Sequence, residues 1–153
     1  MQLSSNFSLH QLTRSDTATE RGIDNTPAPG ILDNLIQLAD GLETVLAMLG
    51  QPLEISSGYR CENLNAAVGG SPQSQHCLGL AVDFTCPAYG PPIEVAVAIA
   101  DSNILFDQCI LEFGRWVHIS FNRNPRRRLL TIYDVDAGYL DGLWNKQGTQ
   151  LIA

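Results

Sequence analysis

The longest periodic stretch of the chain is ILDNLIQLADGLETVLAMLG, residues 31–50. Ile31, Leu35, Leu38, Leu42, Val45, Leu46 and Leu49 recur at three- and four-residue spacing, which lays one apolar stripe along a helix. Gly50 is a natural stop for it. Ahead of it, SLHQLTRSD reads as a short helix with Ser8 as its N-cap and Leu9 and Leu12 on one face. GIDNTPAPG, 22–30, reads as a loop because Pro27, Pro29 and Gly30 interrupt any regular element. LEISSGYR predicts a short strand running into a turn at Gly58, CENLNAAV a helix ending at Gly69-Gly70, and SPQSQHCLG a loop. PPIEVAVAIAD predicts a helix with prolines at its start. Four runs read as strands: LAVDFTC, DQCILEF, RWVHISF and LLTIYDV, with Gly114 between the second and third. NRNPRRR predicts a hairpin turn before the last. Helices first and an antiparallel meander last make an α+β pattern, not a regular βαβ alternation. The expected architecture is helices packed on a small, mainly antiparallel sheet. The tail YLDGLWNKQGTQLIA either packs as a strap or frays.

A length of 153 residues fits one domain with a single core, here expected over about 5–135, with 136–153 as the tail. A chain of this size needs neither disulfides nor oligomerisation to fold, and a monomer is expected. A net charge of −7 argues against non-specific nucleic-acid binding. No apolar run approaches the ~20 residues that span a bilayer, so no membrane partner is expected. The N-terminal MQLSSNFSLHQL lacks a basic region and a long apolar core, which predicts synthesis without a secretory signal, in the cytoplasm. Cys61, Cys77, Cys86 and Cys109 show neither a CxxC pair nor zinc-finger spacing. They read as small reduced hydrophobes, with a disulfide formed after release from the cell as the alternative.

The chemistry concentrates in two strands. In LAVDF, alternation sends Leu80 and Val82 one way and Ala81 and Asp83 the other. A strand carboxylate is costly if buried unpaired, so Asp83 needs a partner or a cleft. In RWVHISF, Trp116, His118 and Ser120 share a face, opposite Val117, Ile119 and Phe121. His76, Asp83 and His118 together offer a three-ligand zinc site with a fourth position open. Such a site acidifies water to a pKa of ~7. Glu112, on the preceding strand, would reach across the Gly114 turn to act as a base. The alternative reading is two satisfied histidines and one hydrogen-bonded aspartate. His10 reads as a surface residue, and Cys77 points away from His76 because consecutive side chains on an extended segment diverge. The arginines from Arg123 to Arg128 read as a solvated tip that discourages edge pairing, or as a contact for anionic polymer. Trp116 either lines a cleft or anchors the sheet.

SGYRCENLNAAVGGSPQSQHCLGLAVDF followed by EFGRWVHISF resembles the zinc D-Ala-D-Ala carboxypeptidase and L-alanyl-D-glutamate endopeptidase family. Its S-x-H-x-x-G-x-A-x-D pattern is met in full by Ser74, His76, Gly79, Ala81 and Asp83. SGYR and the N-terminal NFSLHQLTRSDTA are similar to its phage-type branch, and the likeness runs to about Tyr133. The resemblance implies a hedgehog-like zinc fold that cuts peptidoglycan stem peptides, as a carboxypeptidase or endopeptidase of a phage or prophage lysin. It implies His76, Asp83 and His118 as Zn²⁺ ligands, Arg60 as a stabiliser of the oxyanion or of substrate, and Ser74 and Trp116 as substrate contacts. In several members the base lies three residues before the last histidine, where this chain has Arg115. Glu112 lies six before it, a spacing that resembles the hedgehog branch, and it is the implied base. A non-catalytic zinc module that binds a peptide or partner is the alternative. A structural subunit of a phage particle is a third. The enzyme would reach the wall after release or as part of such a particle.

Overall fold

The computed structural model describes all 153 residues. The N-terminal part is helical: α1 (Leu9–Thr13), α2 (Asp16–Arg21) and the long α3 (Pro29–Leu49). Ser8 caps α1 in a capping box with Gln11, each side chain bonding the other's backbone N–H. The reading of Pro29 and Gly30 as loop is corrected. Pro29 is instead the first residue of α3, where its missing N–H costs nothing and its fixed φ suits a helix start. The helix ends at Gly50, in the left-handed region as expected. The sequence reading did not separate α2.

Next come β1 (Glu54–Ser57), α4 (Glu62–Ala67), a 3-10 helix (Gln75–Leu78), β2 (Ala81–Thr85) and α5 (Pro92–Ala100). The 3-10 turn lies inside the segment read as loop. The chain closes with β3 (Gln108–Glu112), β4 (Trp116–Ser120), β5 (Arg128–Ile132), β6 (Leu140–Asp141), β7 (Leu143–Trp144) and β8 (Gln150–Ile152). Six strands form one sheet in the order β1-β2-β4-β3-β5-β6. The mixed α+β architecture is as expected, but the closing meander is not. β4 is flanked on both sides by β2 and β3, and β5 joins the outer edge of β3, pairing with it in parallel. NRNPRRR is therefore not a hairpin tip. It carries the chain past the start of β3, held there by bonds from Arg127 N to Phe106 O and Arg128 N to Asp107 O. The tail packs as a strap. Leu143 is fully buried in the main core, and the Trp144 N–H donates to Thr131 Oγ1.

Alternation divides the sheet into two faces. Val82, Phe84, Cys109, Leu111, Val117 and Ile119 join the buried residues of α3 and α5 in one cluster of 22. The opposite face carries Asp83, His118, Glu112 and Trp116, with a small apolar cluster of Ile110, Leu130 and Ile132 beside them. The core face makes the strands rigid, and that rigidity fixes the polar side chains of the other face.

Candidate metal centre

Asp83 and His118 stand directly opposite each other on β2 and β4. Facing residues on adjacent strands have Cβ atoms about 5 Å apart on one side of the sheet, so register alone brings these two together. His76 arrives from the 3-10 helix. The Ser74 hydroxyl caps that helix by accepting the His76 backbone N–H at 3.2 Å, and Arg60 N donates to His76 O at 3.1 Å. Gly79 ends it at φ 72°, a conformation that penalises any side chain. A Cβ there would also sit 2.8 Å from Ile31 Cγ2 of α3. The glycine of the motif thus lets the ligand turn lie flat on the long helix before the chain enters β2.

All three ligand atoms lie within 4.8 Å of one another, and all three residues are buried. Asp83 Oδ1 is 3.2 Å from His76 Nε2 and 3.0 Å from His118 Nδ1. Ligands about 2.0–2.1 Å from a tetrahedral zinc are roughly 3.3 Å apart, so the spacing fits a shared ion. Proton placement makes the same point. His76 Nδ1 is 2.8 Å from the Gly58 carbonyl, which can only accept, so Nδ1 carries the hydrogen. Burial is the main effect on His76 and pushes its pKa down, keeping the ring neutral. Nε2 is then a bare lone pair aimed at a carboxylate oxygen. Two acceptors at this distance call for a cation between them, and a backbone carbonyl on the far nitrogen is the usual way a zinc histidine is oriented. Burial opposes the charge on Asp83, but the bonds to His118 and His76 outweigh it and hold the carboxyl well below the usual range.

Glu112 Oε1 lies 3.8 Å from His118 Nδ1. Burial first, then the charge of Asp83, raises its pKa above the ordinary glutamate value. It faces Trp116 across the β3–β4 turn, where Phe113 takes a left-handed φ of 57°. The Phe113 and Trp116 rings pack edge to face at 5.6 Å. Trp116 Nε1 is buried without a well-formed hydrogen bond, so its pull on Glu112 is weak. Arg60 also has a buried Nε without a partner.

These groups open into a cleft of about 900 Å³ whose lining includes Arg60, Ser74, Glu112, Trp116 and Tyr139. His10 is exposed, and Cys77 is not part of the metal cluster. All four cysteines are free thiols. Burial pushes the Cys109 thiol up to about 12, as befits a core hydrophobe.

Sequence reasoning missed a second cluster beside the first. Asp107 is fully buried and accepts Arg126 Nε and Nη2 at 2.8 Å each, with Gln75 Nε2 also at 2.8 Å. Arg127 donates to the carbonyls of Ile104, Ala100 and Ser102. Arg126 and Arg127 therefore pin the crossover to the sheet and to the end of α5, and are not a free solvated tip. The available signal was Asp107 itself, a carboxylate at the head of an apolar strand. Tyr139 was also missed, because it comes from the tail.

A buried two-histidine, one-aspartate cluster on the open face of an α+β sheet, with a glutamate beside it whose proton affinity burial raises, defines the class as a metal-centred site suited to hydrolysis. The family model for Peptidase M15 matches residues 5–120, well over half of the chain, and the chain belongs to that family. It is a metallopeptidase of a zinc-dependent family, which implies a peptide substrate. The match takes in His76, Asp83, Glu112 and His118 and ends at Ser120. No curated protein sequence matches the chain.

Proposed function

We propose that this chain is a zinc peptidase of peptidoglycan stem peptides, cutting as a carboxypeptidase or endopeptidase. His76, Asp83 and His118 are the metal ligands. Zinc, when bound there, supplies a Lewis acid that polarises the scissile carbonyl and acidifies water. The protein supplies the rest. Glu112 takes the proton of the attacking water and returns it to the leaving amine. Arg60 stabilises the developing oxyanion with donors fixed in one plane, and Ser74 and Trp116 contact the substrate from the cleft walls. Ser74 already caps the ligand helix, so any substrate contact would use the remaining valence of its hydroxyl.

The observation that carries this reading is Glu112. A carboxyl 3.8 Å from a ring nitrogen of the metal cluster, with its proton affinity raised by burial, is placed and biased to take a proton. A module that merely binds a peptide needs no such group, so the site favours catalysis over the non-catalytic reading. The peptidoglycan substrate, the hedgehog-like detail of the fold and a phage or prophage lysin origin rest on the sequence resemblance. So does action at the wall after release from the cytoplasm or within a phage particle. A single catalytic domain working as a monomer completes the proposal.

The test is cleavage of synthetic stem peptides, read by mass spectrometry of the products, with metal content measured in parallel. Glu112→Gln should keep its zinc and lose about 10²-fold or more in rate. Wild-type rates in that variant would remove Glu112 from the mechanism. Peptide binding without cleavage by the wild-type protein would leave the binding module in its place.

A further inference from the structure

Tyr139 lies outside the stretch that matches the family model, yet the sheet delivers it to the site. Thr131 on β5 faces Leu140 on β6. One step along that antiparallel ladder, Tyr139 stands opposite Ile132, and facing residues share a side of the sheet. Ile132 is level with Glu112 on β3, and Glu112 faces Trp116 on β4. Trp116, Glu112, Ile132 and Tyr139 therefore form one row across the open face. The Tyr139 side chain lines the same cleft as His76, Asp83, Glu112 and His118. The charges of Glu112 and Asp83 both act on its phenol, and the ring lines the cleft.

The segment that presents this ring is anchored. Gly142 N donates to Leu129 O at 2.8 Å, and Thr131 Oγ1 donates to Gly142 O at 2.8 Å. The turn before it is closed by Gly138 N on Asp134 O at 3.0 Å. Tyr133 shows what a structural tyrosine looks like here: its hydroxyl donates to Trp144 O at 2.8 Å. Tyr139 has no such partner, and the residue is 57% exposed at the cleft rim. An aromatic side chain with two torsions on an anchored segment, with a free donor at the rim of a peptide cleft, costs little entropy when it binds.

We propose that Tyr139 is a substrate-binding residue, its ring forming the β5-side wall of the cleft and its hydroxyl donating to a backbone carbonyl of the bound peptide. A neutral carbonyl is the group it takes, because a lone phenol offers one hydrogen bond and no charge, and the Glu112 carboxyl beside it disfavours a substrate carboxylate. Arg60, which lines the cleft elsewhere, is the cation for an anionic end. This assignment rests on the peptidase reading above.

The experiment compares wild type, Tyr139→Phe and Tyr139→Ala as zinc-loaded proteins on a synthetic stem pentapeptide, with zinc content and melting temperature measured alongside. KM should rise about three- to tenfold in Tyr139→Phe, the worth of one hydrogen bond, and further in Tyr139→Ala. The turnover number, zinc content and melting temperature should stay near wild type. Equal KM values in all three proteins would overturn the assignment while leaving the peptidase reading intact. So would a KM change matched by a fall in melting temperature, since that marks a structural role. If the wild type cleaves nothing, the peptidase reading fails by itself. The same peptide titrated calorimetrically into the three proteins should then give the same ratios as dissociation constants, and equal affinities or no binding would overturn the role of Tyr139.

Discussion

Asp83 lines the cleft, Asp107 lies behind Gln75 and Arg126 of its wall, and these two buried carboxylates are satisfied in opposite ways. Asp107 has its cation built in. The Arg126 guanidinium grips it with two nitrogens, the Arg126 backbone N–H adds a third bond at 3.1 Å, and Gln75 a fourth. Nothing more is required of it. Asp83 has only two imidazoles, one of which presents a lone pair, and no arginine or lysine pairs with it. Both carboxyls are held below their ordinary pKa, so titration alone does not tell them apart. What separates them is which cluster is electrostatically closed. A closed cluster braces the fold, whereas an open one asks for a cation from outside, and the open one here holds the residues of the family motif.

The largest effect should follow from deleting the open carboxylate. Asp83→Ala is expected to bring zinc content from about one ion per chain toward none, measured by metal analysis after dialysis, with loss of peptide cleavage. Asp107→Asn should keep its zinc while lowering the melting temperature. Full zinc occupancy in Asp83→Ala, or zinc loss in Asp107→Asn without unfolding, would erase the distinction.

A middle-sized effect should come from removing the internal cation. Arg126→Ala leaves a buried carboxylate without its partner. Because Arg126 is itself half exposed, water takes over part of its role, and the expected loss is about 1–3 kcal/mol at pH 7. The Arg126 bonds are the main cause of the lowered Asp107 pKa. A group whose folded pKa is depressed stabilises above its unfolded pKa of about 3.9 and loses that contribution as pH falls through the folded value. The gap in stability between wild type and variant should therefore be full at neutral pH and shrink below about pH 4. Taking the difference cancels whatever the metal site contributes. A gap that stays constant down to pH 3 would mean that Arg126 acts through packing alone.

The two clusters also differ in how far the sequence disclosed them. Asp83 and His118 were readable because strand alternation puts each on the polar side of an apolar run, and the motif around His76 supplied the third ligand. The helix α3 was readable for the same kind of reason, an unbroken local period. Pairing partners are not local. LLTIYDV looks the same whether it joins β4 or β3, so the parallel β3–β5 contact was invisible, and with it the true path of NRNPRRR. Once that path was taken for a free tip, Arg126 had no visible partner and Asp107 no visible cation. Tyr139 was lost in the same way, since only the β5–β6 register carries the tail to the site.

The smallest expected effect tests whether the two clusters are independent. Gln75 connects them: its amide donates to Asp107, and the next residue is the ligand His76. Its Oε1 is buried without a partner. Gln75→Ala removes a bond to a charged group but also removes that orphaned acceptor, and the two terms oppose each other. The net loss of stability should stay below about 1 kcal/mol, because three donors from Arg126 still serve Asp107. Zinc affinity should fall less than about tenfold, the low end for a supporting residue, since Ser74, Arg60 and Gly58 hold His76 without help from Gln75. Competition with a chromogenic chelator measures that affinity directly. A drop as large as that of Asp83→Ala would show that the brace and the metal centre are one unit, with Asp107 acting on the ligand through Gln75.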